Sequence, residues 1–589
     1  MASFDDIFKK PSTVSTGKRK LEQPIQDPNE LYRKAAKVDS NGDTRNKGKA
    51  PMVTDEEEEE SEVAGPELPP DFEEDIPDDD EGRFFGGGMA KETAQAMEYL
   101  DQAEKEVEVA APEKIDIAWV RKTALNFEKR IAKNAELRAK YENEPQKFMA
   151  SEADLDTDIK ALSIVSEHPE LYEEFAKTGC AASLVSLLSH ENTDIAIDAI
   201  QIIAELTDED VNAEQEQWDA LVNAMIDADI IELLTQNLSR LDESNDADRA
   251  GVYYVLNVME NLASQASIAE KLGLDDQVLS WLLSRIQKKE SPVSQNKQYA
   301  AEVLAILLQS SQKTRLKLAE KDGVDILLQL LSVYRRHDPE KDSDEEEYVE
   351  NLFGCLTCMV DEEEGKAKFI EAEGVELAQI MLREGKLSKK RALRVLDHAL
   401  SGPGGVAACE RLVEIAGLRT VFGMFMRKQD PEAVEHLLSI FAAMLRYLPG
   451  GSAARIRTLA KFMEKDYEKI EKLMILRREF AARLRPVEAA IERERQRLDV
   501  EEQEAMAPEW LSRRLDAGLF SLQTIDIILA WLIAEDDGAK KKISELLADR
   551  DEDMSVIRAT LQEQINDLDD DAAANEFKDM LETLLQFVR

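Results

Sequence analysis

Cysteine is nearly absent from this chain, four in 589 residues. So few thiols cannot form a disulfide framework, which points to a reducing compartment. Aromatic residues make up only 6%, a composition that suits Leu/Ile/Ala helix packing better than a β-sandwich. No region alternates polar and apolar residues with period two. No apolar run approaches the roughly 18–20 residues that cross a bilayer, and the stretch 1–11 has no apolar signal core. These absences predict a soluble intracellular protein with no membrane partner. Positive charge is also short: 74 Lys and Arg face 122 Asp and Glu, for a net charge of −48. Nonspecific binding to a nucleic-acid backbone is therefore disfavoured, and basic protein partners are favoured.

Catalytic and metal-binding patterns are missing too. The five histidines (His168, His190, His337, His398, His436) form no His-x-x-x-His pair. Cys355-x-x-Cys358 sits among Leu352, Phe353, Leu356 and Met359, while Cys180 and Cys409 are isolated, so no second pair completes a tetrahedral zinc site. Buried core thiols are the expectation. His398, beside Asp397, reads as a hydrogen-bonding residue at a helix end. Neither Gly402-Pro403-Gly404-Gly405 nor Gly86-Gly87-Gly88 is followed by Lys-Ser/Thr, so neither is a phosphate-binding loop. No enzyme, cofactor or metal is expected.

What the chain does have is a repeat. In Gly179–Asp208, Ala181, Leu184, Val185 and Leu188 mark one helical face. After a polar break that Asn192 or Thr193 can cap, Ile195, Ala199, Ile202, Ile203 and Leu206 mark a second helix. Ile197 and Ile200 make its far side apolar as well. Such a helix has to be covered on more than one side, and stacked copies of the unit provide the cover. Anchors at Gly179, Ala228, Gly273, Gly323, Gly374 and Gly417 stand 43–51 residues apart, close to the roughly 40–47 residues of armadillo and HEAT units. The partner helix after Gly323 follows an acidic insertion at Asp342–Glu347. Ser388 and Asp430-Pro431 are expected caps. A short leading helix, as at 169–175, makes three helices per unit and favours armadillo over HEAT.

The expected fold is all-α, a right-handed armadillo/HEAT-type solenoid with helical caps at both ends. Residues 1–82 form a disordered tail, 83–158 an anchor segment and capping helices, 159–450 about six repeats, and 451–589 a charged helix with further caps. In the tail, Lys18, Arg19 and Lys20 precede Arg33, Lys34 and Lys37 at the separation of a bipartite nuclear-localisation signal, which an import adaptor would read. Between Met52 and Gly82 lie 16 acids and no Lys or Arg, leaving the rest of the chain acidic in its own right. Phe84 and Phe85 are candidate anchors on the solenoid or a partner, and a charged helix is expected over 91–110. In the C-terminal region Leu473, Leu476, Phe480, Leu484, Val487, Ile491 and Leu498 approach a heptad seam, a possible homodimer contact interrupted or kinked at Pro486. One helix is expected over 515–533.

Several ordered stretches resemble the beta-catenin-like protein 1 family. They include Glu81-Gly-Arg-Phe-Phe-Gly-Gly-Gly88, Pro145-Gln-Lys-Phe-Met149, Leu241-Asp-Glu-Ser244, Leu396-Asp-His-Ala399 and Arg513-Arg-Leu-Asp-Ala-Gly-Leu-Phe520. The resemblance implies a non-catalytic nuclear armadillo scaffold, in the nineteen-complex-associated part of the splicing machinery, that binds basic localisation-signal-like segments of splicing factors. Import adaptors with the same repeat type carry an Asn and a Trp on each unit's last helix. Here only Asn261 fits, which argues against a regular peptide groove. The candidate partner contacts are instead an acidic strip on or near the last helices: Glu205, Asp208, Glu260, Asn261, Glu302, Glu350 and Asp397. An import adaptor or catenin-like scaffold outside splicing is the competing reading.

Overall fold

The computed structural model describes residues 114–568 and 572–589. Both basic clusters of the tail, the acidic run, Phe84, Phe85 and the helix expected over 91–110 lie outside the described residues. Among those described there are 26 α-helices, five short 3-10 turns and no strand. Backbone groups in helix interiors are thus satisfied within their own helix, and only side faces and helix ends need partners.

The third helices of successive units lie side by side in one row. We label that row α1 (Met149–Ala161), α2 (Thr193–Leu206), α3 (Asp246–Ala263), α4 (Gln295–Ser310), α5 (Asp344–Met359), α6 (Leu387–Leu400), α7 (Pro431–Tyr447) and α8 (Leu519–Glu535), each packed on the next. The driving force is legible in α2, which buries Ile195, Ile197, Ile200, Ile202, Ile203 and Leu206 on all sides. Fully burying one such side chain is worth about 1.5–3 kcal/mol, and α2 collects that gain only with α1 and α3 on either flank. Asn192 caps it, accepting from the Asp194 amide at 3.0 Å, and Asp430 caps α7 ahead of Pro431 in the same way.

First and second helices meet at a one-residue left-handed turn. That residue is Gly179 itself in the first unit (φ 80°), but Asp229, Asp322, Glu373 and Ala416 in the second, fourth, fifth and sixth (φ 56–60°). In the last three the anchor glycine follows the turn. A methyl on Gly323, Gly374 or Gly417 would overlap the side chain of Leu318, Phe369 or Leu412, five residues back on the first helix. Those glycines are required for space, whereas Gly179 is required for its backbone angle.

Four local expectations change. Asp344–Glu347 is no insertion but the first turn of α5, capped by Ser343, where carboxylates face the positive end of the helix. Ser388 lies buried inside α6, whose N-cap is Lys386. The helix Ala453–Arg495 runs straight through exposed Pro486 and breaks instead at Glu464–Tyr467, three of whose residues are left-handed. Tyr467 holds that turn by donating to Asp536 at 3.0 Å. The helix expected over 515–533 divides at Gly518 (φ 100°), where a side chain would strike Phe480.

The row does not stop at Pro449. Helix Ala453–Arg495 and helix Val500–Asp516 lead back to α8, which packs on α7 as an eighth member. Leu473, Phe480, Leu484 and Ile491 of the heptad seam are buried, and their helix packs on α8 and on Asp537–Ala548. These four seam residues, which the sequence left open between a homodimer contact and a helix lying on the C-terminal end of the solenoid, are therefore packed within the chain. Arg477 crosses this contact with two bonds to the fully buried Asp526 of α8, at 2.7 and 3.2 Å. The ends of the row are covered by Ile117–Lys140, packed on α1, and by Asp537–Ala548, Ser555–Asp567 and Ala572–Leu585, packed on α8. Helix Ile117–Lys140 turns Val120, Ala124 and Phe127 fully inward. Of the apolar pattern that the sequence shows here (Trp119, Leu125, Phe127, Ile131, Leu137, Tyr141), Phe127 is thus buried and the other five are half-buried.

Two substitutions at adjacent positions will act in opposite directions. Gly417→Ala will cost about 1–3 kcal/mol through overpacking against Leu412. Ala416→Gly will stabilise by about 0.5–1 kcal/mol, because it relieves a left-handed alanine. Denaturant unfolding of both variants checks the pair. Removing one partner of the buried ion pair, Asp526→Ala, will cost about 3–5 kcal/mol by leaving Arg477 uncompensated.

Candidate interaction surface on the third-helix row

The seven residues expected to form an acidic strip do lie along the row or at its helix ends, but most already have partners inside the chain. Glu205 accepts from Ser163 at 2.6 Å and from Gln201 at 3.0 Å. Asn261 donates to the Ala204 carbonyl at 3.2 Å and to Thr207 Oγ1 at 3.1 Å, so this lone match to the adaptor pattern ties α3 to the end of α2. Glu260 takes the hydroxyl hydrogen of Tyr299 on α4. Glu302 is buried and accepts from Gln298 at 3.2 Å. Glu350 on α5 is clamped by Arg391 and, at 3.5 Å, by Arg394, both on α6. Asp397 meets His436 of α7 at 2.9 Å. Asp208 differs: it is half-buried and takes only a local amide, that of Asp210, at 2.8 Å, with exposed Glu209 and Asp210 beside it.

The carboxylate–imidazole contacts repeat from unit to unit. Asp361, just past α5, faces His398 of α6 at 2.8 Å, and Asp397 of α6 faces His436 of α7. Burial alone would lower the His436 pKa, but the bond to Asp397 and the charges of Asp397, Glu432 and Glu435 raise it overall. Burial alone would raise Asp397, and the bond and charge of His436, with His398 and Ser439, lower it overall. His398 therefore bonds across units near a helix end, as its position suggested.

One titrating cluster had no counterpart in the sequence reading. Asp156 and Asp198, from α1 and α2, share a hydrogen bond next to Lys160. Burial and the Asp156 bond push the Asp198 carboxyl up to about 7, while Asp156 is held below its usual value. The Asp156–Lys160 spacing of four was visible, but the third member lies one unit on. Near the N-terminal cap, a cleft of about 440 Å³ is lined by Asn134, Arg138, Phe148 and His190. Arg138 is held there by Glu152 and Glu191, at 2.5 Å from the latter. Burial lowers the pKa of His190, whose Nε2 lies 3.1 Å from Asn134.

Cys355 is fully buried, and its thiol donates to the Ala301 carbonyl at 3.8 Å. Burial pushes the Cys358 thiol up to about 12, far from a ready metal ligand. Among the described residues no group of three or more His, Cys, Asp or Glu is arranged to hold a metal. No single described helix is long and apolar enough to cross a membrane. The polar positions of this row are suited to holding neighbours in register and, where they reach solvent, to contacting another protein.

Residues 94–562 match the family described as "Catenin-beta-like, Arm-motif containing nuclear". The chain belongs to the beta-catenin-like protein 1 family. The family's beta-catenin-like protein 1 homolog from Schizosaccharomyces pombe is 37% identical over 474 residues, covering 80% of this chain and 82% of that protein. Human beta-catenin-like protein 1 is 38% identical over 476 residues, covering 77% and 83%. None of these names denotes an enzyme. A designed armadillo repeat protein is also similar, at 16% identity and a TM-score of 0.35 over 45% of the chain.

The Asp397–His436 pair sets a pH window. His436, raised in the fold, stabilises fully below its unfolded pKa of about 6.5 and loses that contribution as pH rises through the folded value. Asp397, lowered in the fold, stabilises above its unfolded pKa of about 3.9 and loses that contribution as pH falls through the folded value. Urea unfolding from about pH 5 to 8.5 will therefore show the wild type losing more stability than His436→Gln above about pH 6.5.

Proposed function

We propose that this chain is a non-catalytic nuclear scaffold of the pre-mRNA splicing machinery, associated with its nineteen-complex part. It binds basic, localisation-signal-like segments of other splicing factors. The observation that carries the reading is membership of a nuclear Arm-motif family across residues 94–562. Two physical features support it. The chain is strongly acidic, at −48, so Lys- and Arg-rich segments are drawn to it over a Debye length of about 8–10 Å. The end of α2 also presents Asp208, whose carboxylate takes only a local amide, beside exposed Glu209, whereas Glu260, Glu302, Glu350 and Asp397 are held by neighbouring side chains. The contact is accordingly narrower than the seven candidate residues, and it centres on the α2–α3 end. Nuclear entry through an import adaptor that reads Lys18, Arg19, Lys20, Arg33, Lys34 and Lys37 belongs to the same reading, with Phe84 and Phe85 as an anchor.

A labelled Lys/Arg-rich peptide titrated with the full chain will lose about tenfold or more in affinity between about 50 and 300 mM salt. The double variant Asp208→Lys/Glu209→Lys will weaken binding by about tenfold at the lower salt. Affinity indifferent to salt and to both reversals rejects the acidic contact. Alanines at Lys18, Arg19 and Lys20 will abolish nuclear accumulation of a fluorescent fusion if the tail is the import signal.

A further inference from the structure

One corner of this acidic protein is locally cationic. It lies where the turn Ser332–Arg335 and the loop after it pass the end of helix Gly374–Glu384 and the start of α6. Arg336 meets Glu384 at 2.6 Å, and the Leu387 amide donates to Asp338 at 3.1 Å, which pins the loop in place. The hydrogen bond from Arg336, with the charges of Arg383 and Arg335, holds the Glu384 carboxyl below its usual range. One carboxylate thus stands among three guanidinium groups. Lys386 and Lys389 continue the cluster into α6. Among the described residues Arg335, Arg383, Lys386 and Lys389 make no ion pair; Arg335 reaches only the Ser332 carbonyl, at 3.3 Å. Where 122 acids outnumber 74 bases, a corner in which Arg335, Arg336 and Arg383 share the one carboxylate of Glu384 and Lys386 and Lys389 make no ion pair calls for an explanation. Two aliphatic side chains sit among them in the open. Val333 is 63% exposed and Ile380 36% exposed, and Ile380 lies one helical turn from Glu384 on the same face.

We propose that this corner docks an acidic segment of a partner protein in which consecutive Asp or Glu flank one or two bulky apolar side chains. The carboxylates meet Arg335, Arg383, Lys386 and Lys389 in charge-assisted bonds, and the apolar side chain covers Val333 and Ile380. An aliphatic centre selects a peptide over single-stranded nucleic acid, which needs exposed aromatic platforms for its bases. Tyr334, the aromatic of this turn, is buried. The site is separate from the α2–α3 end and has the opposite charge preference, so it does not rest on the reading above.

The probe is a fluorescein-labelled peptide with the sequence of residues 68–81, where Phe72 and Ile76 stand among carboxylates. It is titrated by anisotropy into the full chain, and into a full chain whose own Asp and Glu at 71–81 are changed to Asn and Gln so that they do not compete. The amidated form will bind in the micromolar range at about 50 mM salt and several-fold more weakly at about 200 mM. Arg383→Glu/Lys386→Glu will weaken binding about tenfold or more, and Val333→Asp about threefold or more, with unchanged thermal unfolding because all three residues are exposed. No binding by the amidated form, or affinity untouched by the charge reversals, overturns the proposal. So does a polyuridine RNA that binds more tightly than the peptide with the same sensitivity to those reversals.

Discussion

A helix that is apolar around its whole girth has no stable existence at a protein surface, and this fold follows from giving such helices neighbours in a row of eight. α2 and α4 are the extreme cases: α4 buries even Gln298 and Glu302 among its apolar residues. Side-by-side stacking covers two flanks of each helix, and the first and second helices of the unit cover a third. The constraint also explains the ends. α1 needs Ile117–Lys140 over its free flank, and α8 needs the last three helices. It explains the recurrence of a tight joint in five of the six units as well, because the first and second helices there turn within one left-handed residue to reach the same third helix.

Charge is arranged under that constraint. Glu350 lies between α5 and α6 and is gripped by two arginines; Asp397 lies between α6 and α7 and is gripped by an imidazole. Counting acids therefore overstates the surface that a basic partner would meet. What remains is uneven: Asp208 and exposed Glu209 at the end of α2, and several cations about one carboxylate where the fourth unit meets the fifth. A body with a large net charge of one sign can still carry a patch of the other, because pairing is decided within about 4 Å and net charge is felt over about 10 Å.

Much of the fold was legible from spacing alone. The apolar positions of α2, α5 and α7 and the caps at Asn192 and Asp430 follow from rules that operate within one helical turn. Most of the features that escaped depend on residues about one unit away or more, and one on a contact between helices of the same unit. Gly374 looks like an ordinary turn glycine until Phe369 is seen packed against it. Pro486 looks like a break but lies where the helix tolerates it, whereas the real break at Glu464–Tyr467 contains neither proline nor glycine and is fixed by Tyr467 reaching Asp536. Membership of α8 in the row was hidden by the roughly 70 residues that separate it from α7. The candidate contacts suffered most. Nothing near Glu350 in sequence says that Arg391, 41 positions on, will neutralise it.

Several of the fasteners between units point the same way along the chain. Asn237 donates to the Leu188 carbonyl, Trp281 to Leu238 and Asn261 to Ala204, each reaching from a later unit to the exposed carbonyl end of an earlier helix. Lys317 reaches back to Leu274, and Arg455 to Leu445 and Leu448; Gln379, which reaches forward to Ile415, runs against the trend. The stack is consequently not interchangeable end for end. Excising a whole period leaves each surviving donor facing another helix terminus of the same kind, while a cut through the middle of a period strands donors and carbonyls together. Loss or gain of material in such a chain is tolerated in whole periods, and its evolutionary and engineering unit is the interval between joints rather than the single helix.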